Sequence, residues 1–141
     1  MQEFFSYERR VAFVDTDAMG VVHHANYLHY LEEARVAWMR ERGLTFTHYP
    51  ACDRILALLH YQVWHLKPAL FDDMLRVVLQ VRRDKLKIQF QYSIFKGEDM
   101  IAQAETLHIP VDRELKAVRP HAHLLKHMES EPWNETWLLN S

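Results

Sequence analysis

A chain of 141 residues with 49% hydrophobic and 26% charged residues has the make-up of one globular domain with its own core, not of a disordered or membrane-embedded segment. The net charge of −2 gives no general attraction to nucleic acid, and the longest apolar runs, such as Ile55 to Leu59, are too short to cross a bilayer. The opening residues MQEFFSYERRVAF carry four charges and no apolar signal segment, so a cytoplasmic location is expected, and the single Cys52 has no partner for an internal disulfide.

In chain order, Phe4 to Val14 alternates, with Phe5, Tyr7, Arg9, Val11 and Phe13 on one side, and predicts a first strand. It leads into Asp15-Thr16-Asp17-Ala18-Met19-Gly20, where two carboxylates and a glycine in six residues spell a turn. Val21-Val22 and His23-His24 follow. From Asn26, a good N-cap type, Tyr27, Leu31, Ala34 and Trp38 recur at spacings of three and four up to Gly43, the usual C′ residue. This pattern predicts a helix of about seventeen residues, roughly 25 Å long. Leu28, Val36, Ala37 and Met39 lie off that stripe, so the helix should be wrapped by other elements.

A connector, Leu44 to Arg54, contains Pro50, and beyond it the period falls from 3.6 to 2. Strands are predicted at Ile55 to Leu66, Met74 to Arg83, Leu86 to Phe95 and Met100 to Val111, with turns at Asp84-Lys85 and at Lys96-Gly97-Glu98-Asp99. Such short connections imply antiparallel neighbours. Pro120 to Met128 has helical spacing, and the tail from about residue 129 to 141 carries Trp133, Trp137, Leu138 and Leu139, which should dock on the body or on a partner subunit. One α+β domain over residues 1–141 follows, a sheet curled around a long helix.

The junction between loop and helix is the candidate site. A helix start leaves unpaired N–H groups and a positive dipole end, here directly after Asp15 and Asp17, so an oxyanion would be stabilised with a carboxylate beside it. The alternative is that both aspartates only form the turn. His24 either orients Asp17, contacts the reacting group, or satisfies backbone groups at the helix start. His23-His24 and His121-x-His123 lack the partners of a zinc site, so no metal is expected. Glu32 and Arg35, three apart, predict an ion pair on the helix.

The run Asp15-Thr16-Asp17-x-x-Gly20-Val21-Val22-x-His24-x-x-Tyr27-Leu28, followed by Glu32-x-Ala34-Arg35, resembles the hotdog-fold acyl-CoA thioesterases of the 4-hydroxybenzoyl-CoA thioesterase type. More closely, it resembles the bacterial branch associated with the Tol-Pal envelope system, and the likeness extends over nearly the whole chain. The resemblance implies a five-stranded antiparallel sheet around one long central helix, in homodimers or homotetramers whose sheets join edge to edge. It implies hydrolysis of an acyl or aroyl thioester to free acid and coenzyme A, with no cofactor. Asp17 would be nucleophile or general base, and a backbone N–H near His24 would polarise the carbonyl. Gly20, Val22, His23, Asn26 and Tyr27 would line the substrate site. Arg82, Arg83, Lys85 and Lys87, clustered at one hairpin, are candidates for the coenzyme A phosphates or plain solvated turn charges. His23 and Met19 depart from the family, which more often carries an aromatic and a small residue there. The rival readings are an acyl-carrier-protein thioesterase and a non-catalytic acyl-CoA-binding module.

Overall fold

The computed structural model describes residues 3–44 and 54–138; Cys52, Leu139 and most of the connector after Leu44 lie outside the described residues. Alternation in the sequence is converted into five strands, β1 (Phe5–Arg10), β2 (Ile55–His65), β3 (Met74–Asp84), β4 (Lys87–Lys96) and β5 (Asp99–Val111). They form one antiparallel sheet in the order β1-β3-β4-β5-β2. Leu75, Val77, Leu79 and Val81 of β3, Ile88, Phe90, Tyr92 and Ile94 of β4, and Ala102 and Ala104 of β5 are all buried on one face. Each large aliphatic or aromatic side chain taken from water there contributes about 1.5–3 kcal/mol.

β1 stops earlier than the alternation suggests. After Arg10 the Val11 N–H still reaches Asp73 O at 2.8 Å, but the chain then turns through a short 3₁₀ segment, Phe13–Asp15. The cause is local: the Asp15 carboxylate accepts the Ala12 N–H at 3.0 Å, offering the backbone a partner other than a neighbouring strand. Phe13 and Val14 are left exposed.

The expectation of a single long helix needs correction, because the described residues contain two helices, α1 (His24–Glu41) and α2 (Ala122–Glu129). Leu124 and Met128 of α2 join the same core as Tyr27, Tyr30, Leu31, Ala34 and Trp38 of α1. Glu131, just past α2, accepts from Trp38 Nε1 and from Arg42 Nε, both at 3.0 Å, and so ties the ends of the two helices together. The cap of α1 is His23, not Asn26: its Nδ1 accepts the Ala25 N–H at 3.1 Å, doing the work usually given to an Asx oxygen. At the other end Gly43 takes φ +66°, with Leu44 N–H bonded to Met39 O and Gly43 N–H to Arg40 O, a Schellman ending.

The Glu32–Arg35 ion pair does not form. Glu32 is exposed, while Arg35 turns inward and donates from Nη1 to Tyr92 Oη at 3.3 Å. Tyr92 Oη lies 2.7 Å from Thr106 Oγ1, which in turn lies 2.9 Å from His108 Nε2, so a polar chain runs through the interior from α1 to β5. A buried phenol competes better for the guanidinium than an exposed carboxylate, which water already solvates.

The opposite face of the sheet carries Gln80, Gln91, Ser93 and Gln103, all buried. The segment after α2 covers them: Asn134 exchanges two hydrogen bonds with the Gln80 side chain, and Gln103 Nε2 donates to Trp137 O at 2.7 Å. Arg82 lies over the Trp133 ring, and Trp137 meets the edge of Phe4. The strap adds partners to amides that also pair across the sheet, Gln80 with Gln91 and Gln103 with Ser93.

Candidate active site

Asp17 opens a four-residue turn. Its carbonyl accepts the Gly20 N–H at 3.0 Å and its Oδ1 accepts the Met19 N–H at 2.8 Å, the self-capping that aspartate readily provides. Gly20 closes the turn at φ +79°, a conformation that costs an L-residue about 1–2 kcal/mol. An added Cβ there would meet nothing within 4 Å, so Gly20→Ala is expected to lower stability by about that amount through backbone strain alone. Urea unfolding checks this; an unchanged midpoint would show that the turn relaxes at no cost.

From Gly20 the chain returns as Val21-Val22. Asp17 N–H bonds Val21 O at 2.9 Å, Thr16 bridges Val22, and Val22 N–H bonds Ala69 O at 2.8 Å, so the loop is pinned to the segment that enters β3. His23 N–H then donates to Asp15 O at 2.9 Å and α1 begins. The result is an exposed carboxylate whose Oδ2 takes no hydrogen bond among the described residues, in a loop that runs directly into the helix start. The His24 N–H, first in the helix, likewise has no acceptor among them. A carboxylate oxygen and a helix-start N–H, both without partners among the described residues, are thereby held on consecutive, backbone-bonded segments.

The two aspartates have opposite environments. Asp15 is 7% exposed, and its Oδ2 accepts from Tyr30 Oη at 2.8 Å as well as from Ala12, with Arg9 Nη1 at 3.4 Å. Asp17 faces solvent in the single chain.

Of the other expected site residues, Gly20, His23 and His24 stand exposed at the mouth, with the two imidazoles stacked at 4.1 Å. Val22 and Tyr27 are buried beneath it, and Asn26 Nδ2 donates to Asp15 O at 2.8 Å, so these three support the mouth from within this chain. His65, at the end of β2, sets its ring against the edge of Tyr27 at 4.6 Å. Burial, and then the neighbouring His24, push its pKa below the ordinary histidine value. His65 went unremarked in the sequence because only strand pairing carries it to the helix start.

Arg82, Arg83, Lys85 and Lys87 are not brought to this mouth. The loop sits at the Met74 end of β3, where Val11 meets Asp73, and the hairpin sits at the Asp84 end. An eleven-residue strand separates them by roughly 33 Å. Arg82 is also engaged locally, donating to Gln89 Oε1 at 2.8 Å. Among the described residues no three His, Cys, Asp or Glu side chains are placed to hold a metal, and no helix is long and apolar enough to cross a membrane.

A single antiparallel sheet of this order with a helix on one face, and a carboxylate turn leading into that helix, defines the hotdog class of α+β proteins. Comparison with known families narrows the class, because the model described as "Thioesterase-like superfamily" matches residues 11–133. The chain belongs to the thioesterase-like superfamily, and is a hydrolase of that kind. It is 34% identical over 106 residues to a 1,4-dihydroxy-2-naphthoyl-CoA hydrolase of Thermosynechococcus vestitus, covering 73% of each chain. An acyl-CoA thioesterase of Haemophilus influenzae is 33% identical over 104 residues, which cover 71% of this chain and 75% of that one. Among solved structures, the 1,4-dihydroxy-2-naphthoyl-CoA thioesterase of Synechocystis superposes with a TM-score of 0.83 at 26% identity, over 91% of this chain and 97% of its own.

Proposed function

We propose that this chain hydrolyses acyl or aroyl esters of coenzyme A, with Asp17 as the acting carboxylate and the start of α1 as the oxyanion site. The observation that carries the reading is the pairing of an Asp17 Oδ2 and a His24 N–H, both without partners among the described residues, on either side of the pinned Val21-Val22 return. A thioester carbonyl seated against His24 N–H is polarised there. Attack on its carbon, by Asp17 itself or by a water that Asp17 deprotonates, gives a tetrahedral oxyanion. The C–S bond then breaks and the thiolate takes a proton; on the general-base route the water oxygen becomes part of the free acid, and on the nucleophilic route a mixed anhydride with Asp17 is left, which water cleaves to release the acid and restore the carboxylate. A backbone donor at an oxyanion is worth about 3–4 kcal/mol in other enzymes. Relatives that act on dihydroxynaphthoyl-CoA and on acyl-CoA support coenzyme A as the carrier, and the motif from Asp15 to Arg35 supports the 4-hydroxybenzoyl-CoA type and its Tol-Pal-associated branch.

The reading includes a cytoplasmic homodimer or homotetramer. In the single chain β2 is an edge strand of eleven residues with Leu58, Leu59 and Tyr61 about half exposed, the profile of a strand that pairs with another. A site shared between copies would also bring the partner's basic hairpin within reach of a coenzyme A bound at the helix start, which the length of β3 keeps apart within one chain.

A panel of short, long and aromatic acyl-CoA esters, followed by release of free thiol, tests the proposal. Turnover of at least one ester with kcat/KM in the ordinary enzymatic range, about 10⁴ M⁻¹s⁻¹ or more, is expected. Hydrolysis only of carrier-protein esters would move the activity to the acyl-carrier-protein reading, and binding without turnover of any thioester would overturn the enzymatic one.

A further inference from the structure

The buried polar cluster behind the loop is larger than loop closure requires. Asp15 Oδ2 accepts from two donors, the Ala12 N–H of the 3₁₀ turn and Tyr30 Oη of α1, and forms an ion pair with Arg9 Nη1 of β1 at 3.4 Å, while Asp15 O accepts from His23 N–H and Asn26 Nδ2 at the start of α1. Arg9 is itself oriented, donating from Nε to Glu33 Oε1 at 2.8 Å, an atom that also accepts from Tyr7 Oη at 3.0 Å, and its guanidinium lies 5.1 Å from the Tyr30 ring centre. Tyr30 is fully buried, so its ring has one place to be and its hydroxyl one acceptor. Asp15 is thus the point at which β1, the loop and both early turns of α1 are bolted to one another, two residues before Asp17.

We propose that Tyr30 is a positioning residue for the reaction: by holding Asp15, it sets the Asp17 turn in register with the His24 N–H. The assignment rests on Asp17 and the helix start being the site, as argued above. The physical reason is that Asp17 has no such anchor of its own. Among the described residues its side chain bonds the Met19 N–H within its own turn and nothing beyond it, so its placement relative to α1 comes through Asp15 and the Val21-Val22 return. A displacement of about 1 Å in a reacting group can cost 10²-fold in rate. Tyr30 lies one helical turn beyond Asn26, on the flank that faces Arg9, and touches Asp15 rather than the mouth.

Tyr30→Phe keeps the ring and removes only the hydroxyl. The expected result is a fall of 10- to 100-fold in kcat with KM within about twofold, measured well below the unfolding temperature of the variant. Tyr92→Phe, which loses a comparable buried hydroxyl contact to Thr106 deep in the core, serves as the control and should lower thermal stability without lowering kcat. Combining Tyr30→Phe with Asp17→Asn should cost nothing further in residual hydrolysis, because there is no longer a carboxylate to position. If Asp17→Asn abolishes turnover while Tyr30→Phe keeps kcat, or if Tyr30→Phe and Tyr92→Phe slow the reaction equally, the positioning role is wrong and the site stands. If Asp17→Asn turns over normally, the site itself is wrong.

Discussion

Asp17→Asn should retain the fold and the affinity for a non-hydrolysable acyl-CoA analogue while losing about 10³-fold or more in kcat. The amide keeps an oxygen that can accept the Met19 N–H, so the turn through Gly20 is preserved and the change is confined to basicity and nucleophilicity. Because Asp17 is exposed in the single chain and takes no part in the core, the free energy of unfolding should change by no more than about 0.5 kcal/mol. The measurement is steady-state hydrolysis alongside circular dichroism and analogue binding. Undiminished turnover in a folded variant would remove Asp17 from the chemistry altogether. A single turnover in ¹⁸O-labelled water then separates the two roles left open for it, since label enters the enzyme only when Asp17 attacks and its acyl-enzyme is hydrolysed by water at the carboxyl carbon.

The second large effect is acid lability set in the core. His108 is fully buried, and burial first, then the Arg35 guanidinium, push its pKa from 6.5 to about 3. The folded state therefore holds His108 neutral through the range in which the unfolded chain protonates it. With the folded value depressed, stability is intact above 6.5 and is lost as pH falls below it, down to about 3. Between pH 7.5 and pH 5 the loss from this one group amounts to about 2 kcal/mol. His65, shifted in the same direction, adds to it. His108→Gln keeps a hydrogen-bonding group opposite Thr106 and removes the titration, so its urea midpoint should change much less with pH than that of the parent. Equal acid sensitivity in both proteins would mean that the carboxylates, and not this histidine, govern the loss.

Much of this architecture was legible in the residues because its causes are local. Alternation in Ile88 to Ile94 places every second side chain on one face whatever the partner strand is, while Leu86, expected to open that strand, stays exposed in the turn; the 3.6-residue recurrence of Tyr27, Leu31, Ala34 and Trp38 does the same for α1. The carboxylate turn was also readable, since Asp17 and Gly20 build it from their own backbone and side-chain bonds. Where the reading failed, a competitor lay far away in sequence. Asn26 yielded the cap to His23 because Asp15 O claimed its amide, and Arg35 left Glu32 for Tyr92. Gln91 and Ser93, on the polar side of the alternation, are buried on the face that the C-terminal strap crosses, which no local pattern indicates.

By itself, then, the sequence determined the elements and the chemistry of the turn, because periodicity and side-chain-to-backbone bonding act over a few residues. Only the tertiary structure decided which aspartate is buried and clamped and which stands exposed, that β2 lies at the edge and sends His65 to the helix start, and that the basic hairpin sits a full strand away. Those outcomes depend on strand order and on competition for buried partners, which no short window of residues contains.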